Sequence, residues 1–313
     1  MNPKLAFVFP GQGSQSVGML AALAARQPEV QKTFAEASDV LGYDLWEIVT
    51  VGPEEKLNQT EYTQPAMLTS GVAVWRVWQA HRGAQPAVMA GHSLGEYTAL
   101  TCADAIGFAD AVRLVADRAR FMQEAVPAGQ GGMAAILGLE GDAVRALCTQ
   151  AAQGDVLAPV NFNSPEQIVI AGTAAAVARA VEQARSAGAK RAVVLPVSVP
   201  SHCALMHAAA QRMAERLAQV EIRRPRIPVI HNAHVQRERD PDAIRSALAQ
   251  QIESPVRWVE TIRTMATDGI TVLVECGPGK VLAGLNKRIA KDTLTLPVYD
   301  PESLQTALAG TGQ

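Results

Sequence analysis

Short apolar runs alternate with longer segments of helical periodicity along most of the chain. The runs at Leu5–Phe9, Val88–Gly91 and Thr271–Glu275 lie next to glycine or proline, which is typical of buried strands. Segments such as Glu29–Val40 and Ala109–Ala125 repeat their apolar residues at the spacing of a helix. Buried strands that alternate with helices predict an α/β protein with a largely parallel sheet.

The middle of the chain predicts a second unit with the element order β-α-β-β-α-β, which is the ferredoxin-like arrangement. Its predicted elements are a strand at Met133–Leu137, a helix at Asp142–Ala151, strands at Val156–Phe162 and Ile168–Ala171, a helix at Ala174–Ala187 and a strand at Ala192–Val197. Glycines precede this unit and prolines follow it, as expected of turns at its ends. We therefore predict a small ferredoxin-like subdomain at 127–200, inserted into a discontinuous domain formed by 1–126 and 201–313.

Composition and charge narrow the class of protein. Of 313 residues, 48% are hydrophobic and 19% are charged, the balance of a compact protein with a large core. The formal net charge of -2 argues against a molecule-wide field for nucleic acid or a membrane surface. No apolar run reaches membrane length, and Leu5–Phe9 is too short for the core of a signal peptide. We expect a cytoplasmic monomer that binds neither nucleic acid nor membrane.

The cysteines give no sign of a disulfide framework or of a metal site. They are widely spaced, without a C-x-x-C pair, at positions Cys102, Cys148, Cys203 and Cys276. Disulfide-rich and zinc-binding sequences show closer or paired spacing. We expect buried, reduced thiols, with no metal ion and no redox cofactor.

A candidate nucleophile lies between an apolar strand and an Ala-rich helix. Gly91-His92-Ser93-Leu94-Gly95 has the pattern G-x-S-x-G, and strand, sharp turn and helix are the context of a nucleophile elbow in α/β-hydrolase-like cores. The turn brings the serine hydroxyl to a helix N-terminus, where free N–H groups can stabilise an oxyanion. The alternative is an ordinary turn whose serine caps the helix.

A nucleophilic serine needs a general base, for which histidine is the usual residue. His202 follows Val199-Pro200-Ser201, where the chain leaves the predicted subdomain and can fold over the elbow. The sequence alone does not rank it securely above His231 or His234, which stay open as alternatives, whereas His92 adjoins the serine and should point in another direction. The full set is His81, His92, His202, His207, His231 and His234.

An arginine interrupts the apolar face of a predicted helix. The polar stripe of Ala111–Ala125 consists of Arg113, Asp117, Arg120 and Glu124, whereas Arg118 falls within the opposite, apolar arc. Such an arginine reaches out to solvent, pairs with an internal carboxylate or binds an anionic ligand. Beside a nucleophilic serine, an acyl group that carries a carboxylate fits well, because a guanidinium can donate two parallel hydrogen bonds to it.

Several separated motifs together resemble one family, the malonyl-CoA:acyl carrier protein transacylases and the related synthase domains. The resemblance covers nearly the whole chain. The length of the chain and its Val-Pro-Ser-His segment favour the discrete bacterial-type enzyme over a synthase domain. The motifs are Phe9-Pro10-Gly11-Gln12-Gly13-Ser14-Gln15, Tyr62-Thr63-Gln64-Pro65-Ala66, Gly91-His92-Ser93-Leu94-Gly95-Glu96, Pro200-Ser201-His202 and Gly277-Pro278-Gly279-Lys280-Val281-Leu282.

The resemblance implies a catalytic role for five positions. Ser93 would be the acylated nucleophile and His202 its general base. The backbone N–H groups of Gln12 and Leu94 would form the oxyanion hole. A backbone carbonyl near Gln251, in place of an acid, would orient the histidine.

The resemblance also implies the substrate and the partner. Arg118 would hold the malonyl carboxylate, with Met122 one turn further along the same face. The coenzyme A thioester would be a substrate, so no cofactor is needed, and the acceptor would be an acyl carrier protein. Carrier proteins of this kind are generally acidic, and Lys287-Arg288 is the first candidate for docking them, with Lys190-Arg191 the second.

Other functions stay open at this level. A hydrolase or thioesterase would use the same serine and histidine with water as the second acceptor. A catalytically silent scaffold that only docks carrier proteins is a rival from another class. The pathway is open as well, because malonate decarboxylase systems use related malonyl transferases.

Overall fold

The structure, a computed structural model, describes residues 1–197 and 199–312; positions 198 and 313, which the predicted domains include, lie outside the described residues. The described chain forms two β-sheets covered by helices. The strands are β1 (Asn2–Phe9), β2 (Pro86–Gly91), β3 (Gly131–Leu137), β4 (Leu157–Ser164), β5 (Gln167–Thr173), β6 (Arg191–Val194), β7 (Val229–Ile230), β8 (Val272–Cys276) and β9 (Leu294–Val298).

The larger sheet is parallel throughout and has the order β7-β2-β1-β8-β9. The side chains from Leu5 to Phe9 in the central strand β1 are completely buried. A parallel sheet needs helices on both faces, which is why its strands read as continuous apolar runs and not as alternating ones. The prediction of an α/β core with a parallel sheet is confirmed.

The helices fill both faces of the sheet and cover the smaller one. They are α1 (Ala21–Ala24), α2 (Pro28–Leu41), α3 (Leu45–Thr50), α4 (Glu54–Leu57), α5 (Thr60–Ala80), α6 (Gly95–Cys102), α7 (Phe108–Ala125), α8 (Gly141–Ala152), α9 (Ala174–Ala184), α10 (His207–Leu217), α11 (Pro241–Gln251), α12 (Trp258–Thr267), α13 (Val281–Ile289) and α14 (Pro301–Gly310). The longest helix, α5, is buried along most of its length and packs against α2, α6 and α7. Among the described residues, no helix combines the length and the apolar character that crossing a membrane requires.

The smaller sheet is antiparallel, with the order β4-β5-β3-β6, and α8 and α9 pack on it. The predicted order of elements is therefore present, while the domain limits at 127 and 200 stay a prediction. Two of these elements end earlier than the sequence predicted, at Ala187 for the second helix and Val197 for the last strand. Helix α9 ends at Ala184 because Gly188 makes a left-handed turn, with φ of 98°. Strand β6 ends at Val194, two residues before Pro196, whose backbone has no N–H to pair.

The two sheets meet where the candidate residues collect. In the parallel sheet the ends of β1 and β2 are adjacent, with Phe9 opposite Gly91. The antiparallel sheet reaches this edge through β4, where Phe162 donates its backbone N–H to the carbonyl of Val256 at 3.0 Å. The loops after β1 and β2 and the β4 residues Asn161 and Asn163 line a common space. The four cysteines are buried, free thiols, as predicted.

Candidate active site

Ser93 lies in a tight turn between β2 and α6. Its φ of 52° is in the left-handed region, which costs of order 1–3 kcal/mol for a residue with a side chain. Flanking glycines make the turn possible: a Cβ on Gly91 would lie 1.8 Å from the carbonyl carbon of Gly95. The backbone N–H of Ser93 donates to Asn232 Oδ1 at 2.7 Å, which fixes the turn from a distant part of the chain.

His202 is the histidine that contacts this serine. Its Nε2 lies 2.7 Å from Ser93 Oγ, and its Nδ1 lies 2.7 Å from the backbone carbonyl of Gln251. A carbonyl only accepts, so Nδ1 carries the proton and Nε2 has its lone pair directed at the serine hydroxyl. The predicted carbonyl near Gln251 is thus where the resemblance implied.

The environment of His202 keeps the ring neutral. Burial, followed by the positive charge of Arg118, lowers the pKa of His202 to about 3, against the opposing effect of the Gln251 carbonyl. The side chain is 3% exposed, so its proton has little access to water. At neutral pH the ring is therefore in the form that can accept the serine proton.

The other five histidines of the described chain have different partners. One of them, His92, also lines the site without touching the serine hydroxyl. His92 points away from Ser93 to Asn163, at 2.7 Å, and burial lowers its pKa. The remaining contacts are His81 with Gln27, His207 with Glu253, His231 with Glu96 and His234 with the backbone N–H of Gln236.

Arg118 extends from the apolar face of α7 into the same site and is 1% exposed. Its Nη1 donates to Gln64 Oε1 at 2.9 Å, its Nη2 donates to Gln251 Oε1 at 3.0 Å, and Nη2 lies 3.4 Å from Ser93 Oγ. Within the described residues no carboxylate lies within 4.0 Å of the guanidinium, so the internal ion pair left open by the sequence is absent. A buried cation that contacts only neutral groups is prepared for an anion.

These residues line one cavity of about 180 Å³ between the two sheets. Gln12, Leu94 and Met122 also line it, while their roles stay a prediction. Gln12 is exposed, with Nε2 3.5 Å from Thr60 Oγ1, while Leu94 and Met122 are buried. The antiparallel sheet and the segment after it supply the opposite wall: Met133, Asn161, Asn163, Val169, Leu195, Val197 and Val199.

Sequence reasoning missed several residues that hold the site together. Gln64 belongs to the motif Tyr62-Thr63-Gln64-Pro65-Ala66, from which no role was predicted for it. The structure shows that its Oε1 accepts a hydrogen bond from Arg118 Nη1. The side chain of Gln251 was missed although its backbone carbonyl was predicted. Asn232 and Glu96 were missed as well. The one sequence signal for Glu96 was an acid in the first turn after the elbow, and the structure shows that this acid is buried. In the described chain, no group of three or more His, Cys, Asp or Glu side chains is arranged to hold a metal ion.

The docking candidates lie outside the cavity. Lys287 and Arg288 are exposed in the last turn of α13, where Arg288 Nη1 donates to Gln167 Oε1 at 3.1 Å. Lys190 pairs with Glu166 at 2.9 Å. Arg288 and Lys190, one residue from each candidate pair, line a common groove of about 380 Å³, together with Glu166.

Comparison with known families identifies the class of protein that this fold and site define. Residues 6–303 match the family described as acyl transferase domain, so the chain is an acyltransferase. The malonyl CoA-acyl carrier protein transacylase of Salmonella typhimurium strain LT2 is 57% identical over 306 residues, which is 97% of this chain and 99% of that protein. The chain belongs to the malonyl CoA-acyl carrier protein transacylase family.

Solved structures of relatives have the same fold over nearly the full length. The acyl carrier protein S-malonyltransferase of Vibrio cholerae superposes with a TM-score of 0.95 at 57% identity, over 97% of this chain and 99% of that one. A malonyl-transacylase solved in complex with its type II PKS acyl-carrier protein has a TM-score of 0.97 at 54% identity, over 98% of this chain and 99% of that one. That relative therefore binds its carrier protein on a fold closely similar to this one.

Proposed function

We propose that this chain transfers a malonyl group from coenzyme A to the phosphopantetheine thiol of an acyl carrier protein, for fatty acid or related polyketide synthesis, through a malonyl ester of Ser93. The observation that carries the proposal is the position of Arg118, whose Nη2 lies 3.4 Å from Ser93 Oγ without a carboxylate partner in the described chain. A charged group so close to the nucleophile selects the acyl group that enters.

The first half of the reaction acylates the serine. His202 Nε2 takes the proton from Ser93 Oγ as the oxygen attacks the thioester carbonyl carbon. The developing oxyanion is held by the backbone N–H groups of Leu94, before the first turn of α6, and Gln12. The carbon–sulfur bond breaks, and coenzyme A leaves as a thiol with the proton that His202 had taken.

The second half reverses these steps with another thiol. The phosphopantetheine thiol of the carrier protein gives its proton to His202 Nε2 and attacks the malonyl ester. The ester bond breaks, and Ser93 Oγ recovers the proton. Gln251 holds His202 through a neutral carbonyl and not through an ionised acid. Serine is regenerated unchanged, as a ping-pong cycle requires.

Arg118 and Met122 define the acyl pocket in this proposal. Both hydrogens of Nη2 are given to Gln251 Oε1 and Ser93 Oγ, whereas the second hydrogen of Nη1 and the hydrogen of Nε have no acceptor in the described chain. The two hydrogens without an acceptor are available to the malonyl carboxylate. An acetyl group would leave them without a partner in a buried site, which is the physical source of selectivity.

Replacement of Arg118 by alanine is expected to change selectivity more than folding. Removing one partner of a desolvated charge pair costs about 2–5 kcal/mol, which corresponds to a loss of about 30-fold to a few thousand-fold in kcat/KM with malonyl-CoA. Activity with acetyl-CoA should be retained or gained. Single-turnover acylation with both substrates measures the effect, and Arg113→Ala, an exposed arginine on the same helix, is the matched control.

Two outcomes would contradict this assignment. An equal loss of acylation rate with malonyl-CoA and acetyl-CoA would mean that Arg118 supports the site without binding the malonyl carboxylate. A variant that fails to fold, as judged by circular dichroism, would make the arginine structural. In either case the proposal would lose the observation that carries it.

We further propose that the carrier protein docks on the groove shared by Arg288 and Lys190, together with the exposed Lys287. The groove includes Ser164 and the cavity includes its chain neighbour Asn163, so both are built on strand β4. With a formal net charge of -2 the whole protein offers an acidic partner no general attraction. Local basic residues are therefore needed to attract it.

Charge reversal at this surface should separate the two half-reactions. Lys287→Glu combined with Arg288→Glu is expected to lower kcat/KM for the carrier protein about tenfold, more at low salt, because exposed charges are screened by ions. Acylation by malonyl-CoA should stay within about twofold. The double reversal Arg26→Glu and Lys32→Glu, at exposed positions that do not line the groove, changes the net charge equally and serves as control. Equal losses in both half-reactions would reject this docking site.

We also propose that the chain acts as a monomer in the cytoplasm. Its large exposed apolar side chains come from separate segments and do not form one continuous stretch of sequence. They are Met1, Val17, Val51, Val194, Val281 and Leu294. Light scattering would test the oligomeric state, and a dimer at micromolar concentration would contradict it.

A further inference from the structure

A buried acid lies three residues after the nucleophile and has no part in the mechanism above. Glu96, in the first turn of α6, is completely buried. Its Oε2 accepts from the backbone N–H of Asn232 at 2.9 Å and from Gln251 Nε2 at 3.0 Å, and its Oε1 lies 2.7 Å from His231 Nδ1. Both carboxylate oxygens therefore accept hydrogen bonds, with His231 donating from Nδ1.

One amide group connects this carboxylate to the arginine of the acyl pocket. The side chain of Gln251 accepts from Arg118 Nη2 through its oxygen and donates to Glu96 through its nitrogen. The same nitrogen donates to the carbonyl of Ser93 at 2.8 Å. The negative and positive groups therefore lie at opposite ends of a single amide.

The separation of Glu96 from Arg118 by one amide matters because a substrate-binding arginine needs both a counter-charge and unoccupied hydrogen-bond donors. A buried guanidinium without a counter-charge destabilises the fold, whereas a carboxylate in direct contact would occupy the hydrogens that the substrate needs. Burial lowers the pKa of Arg118, and the nearby Tyr97 and Glu96 act in the opposite direction. A carboxylate one amide away compensates the charge and leaves the donors free.

We propose that Glu96 is a specificity-determining positioning residue, the counter-charge of Arg118, held out of contact by Gln251. The inference rests on the proposed function, in which Arg118 binds the acyl carboxylate. It follows that Glu96 stabilises the empty site and, by repelling a second anion, moderates the affinity of that site for the malonyl group. Removal of its charge should weaken the fold and tighten malonyl binding at the same time.

Glu96→Gln removes the charge and can keep the hydrogen bonds. The amide oxygen can accept from Asn232 and Gln251, and the amide nitrogen can donate to His231 Nδ1 if that ring changes its tautomer. Nε2 of His231 is buried and has no hydrogen-bond partner in the described chain, so the change of tautomer breaks no other bond. The variant therefore tests the charge separately from the shape.

Binding is best measured in the Ser93→Ala protein, where no acyl transfer competes. We expect Glu96→Gln to lower the melting temperature and to raise the affinity for malonyl-CoA about tenfold in titration calorimetry, with acetyl-CoA within about twofold. Glu275→Gln is the matched control. Glu275 is also a completely buried acid, but it accepts from the backbone N–H groups of Leu282 and Ala283, away from the cavity. It should lower stability and leave both affinities unchanged.

A double-mutant cycle covers the case in which Glu96→Gln does not fold. If Glu96 is the counter-charge, its replacement should cost much less stability in an Arg118→Met protein. Equal costs in both backgrounds would overturn the inference, as would unchanged or equally weakened binding of the two thioesters. If the reference protein itself binds both thioesters equally, the Arg118 assignment fails and the inference falls with it. Failure of Ser93 to become acylated would instead reject the acyl-enzyme alone.

Discussion

The Ser93→Ala protein will remain unmodified after incubation with malonyl-CoA, whereas the unaltered protein will gain one malonyl unit. The structure provides the reason, because Ser93 Oγ is the hydroxyl that His202 Nε2 contacts at 2.7 Å. Loss of an activated serine nucleophile typically lowers the rate about a millionfold, far beyond what the remaining site can recover. Intact-protein mass spectrometry measures the modification directly.

A serine elsewhere serves as the control for this variant. Ser186→Ala replaces an exposed serine after α9 and should leave malonylation unchanged. Normal acylation of the Ser93→Ala protein would mean that another side chain is the nucleophile. The interpretation of the turn as a nucleophile elbow would then be wrong.

The His202→Ala protein is expected to lose about a hundredfold to ten-thousandfold in the rate of acylation, the usual contribution of a positioned general base. Single-turnover mixing with malonyl-CoA measures this rate. His207→Ala is the matched control, since His207 lies nearby in sequence but pairs with Glu253 at the surface. Equal losses in the two variants would leave the serine without an identified base.

The pH dependence gives an independent test of the same histidine. Because the pKa of His202 is lowered to about 3 in the folded protein, the ring stays in its basic form as the pH falls through 6.5, the ordinary histidine value. We therefore expect kcat/KM for acylation to lack a decline centred near 6.5. Such a decline would show that the base is a histidine in contact with water.

The sequence predicted best those features that depend on neighbouring residues. The elbow at Ser93 follows from the glycines two positions away on either side, without which the turn would clash. Arg118 was singled out because helical periodicity alone places it on the buried face of α7. The β-α-β-β-α-β order likewise follows from local alternation of apolar runs and helical segments.

The features that the sequence did not predict depend on residues far apart in the chain. Asn232 reaches Ser93 across 139 positions, and Gln251 reaches Glu96 across 155. Asparagine and glutamine are common residues whose role is set by the partner that the fold brings near. No periodicity or motif distinguishes them, so only the folded structure could show that Asn232 fixes the turn at Ser93 and that Gln251 connects Ser93 to Arg118.

The choice of His202 lies between these cases. The chain offers six histidines, and nothing local separates His202 from His231. The resemblance to a family favoured His202, and the folded chain brings it to Ser93 while His231 contacts Glu96. Proximity of this kind is a property of the tertiary structure.

The central claim is that the malonyl ester of Ser93 resists hydrolysis until a thiol acceptor binds. A transferase must hold this ester away from water, and the cavity of about 180 Å³ is closed on one side by the antiparallel sheet. The most direct measurement follows the release of free coenzyme A after malonyl-CoA is mixed with the protein alone. We predict a burst of about one equivalent, then a stall that ends when carrier protein is added. Steady release without a thiol acceptor, at a rate comparable to transfer, would contradict the account and make the protein a malonyl thioesterase.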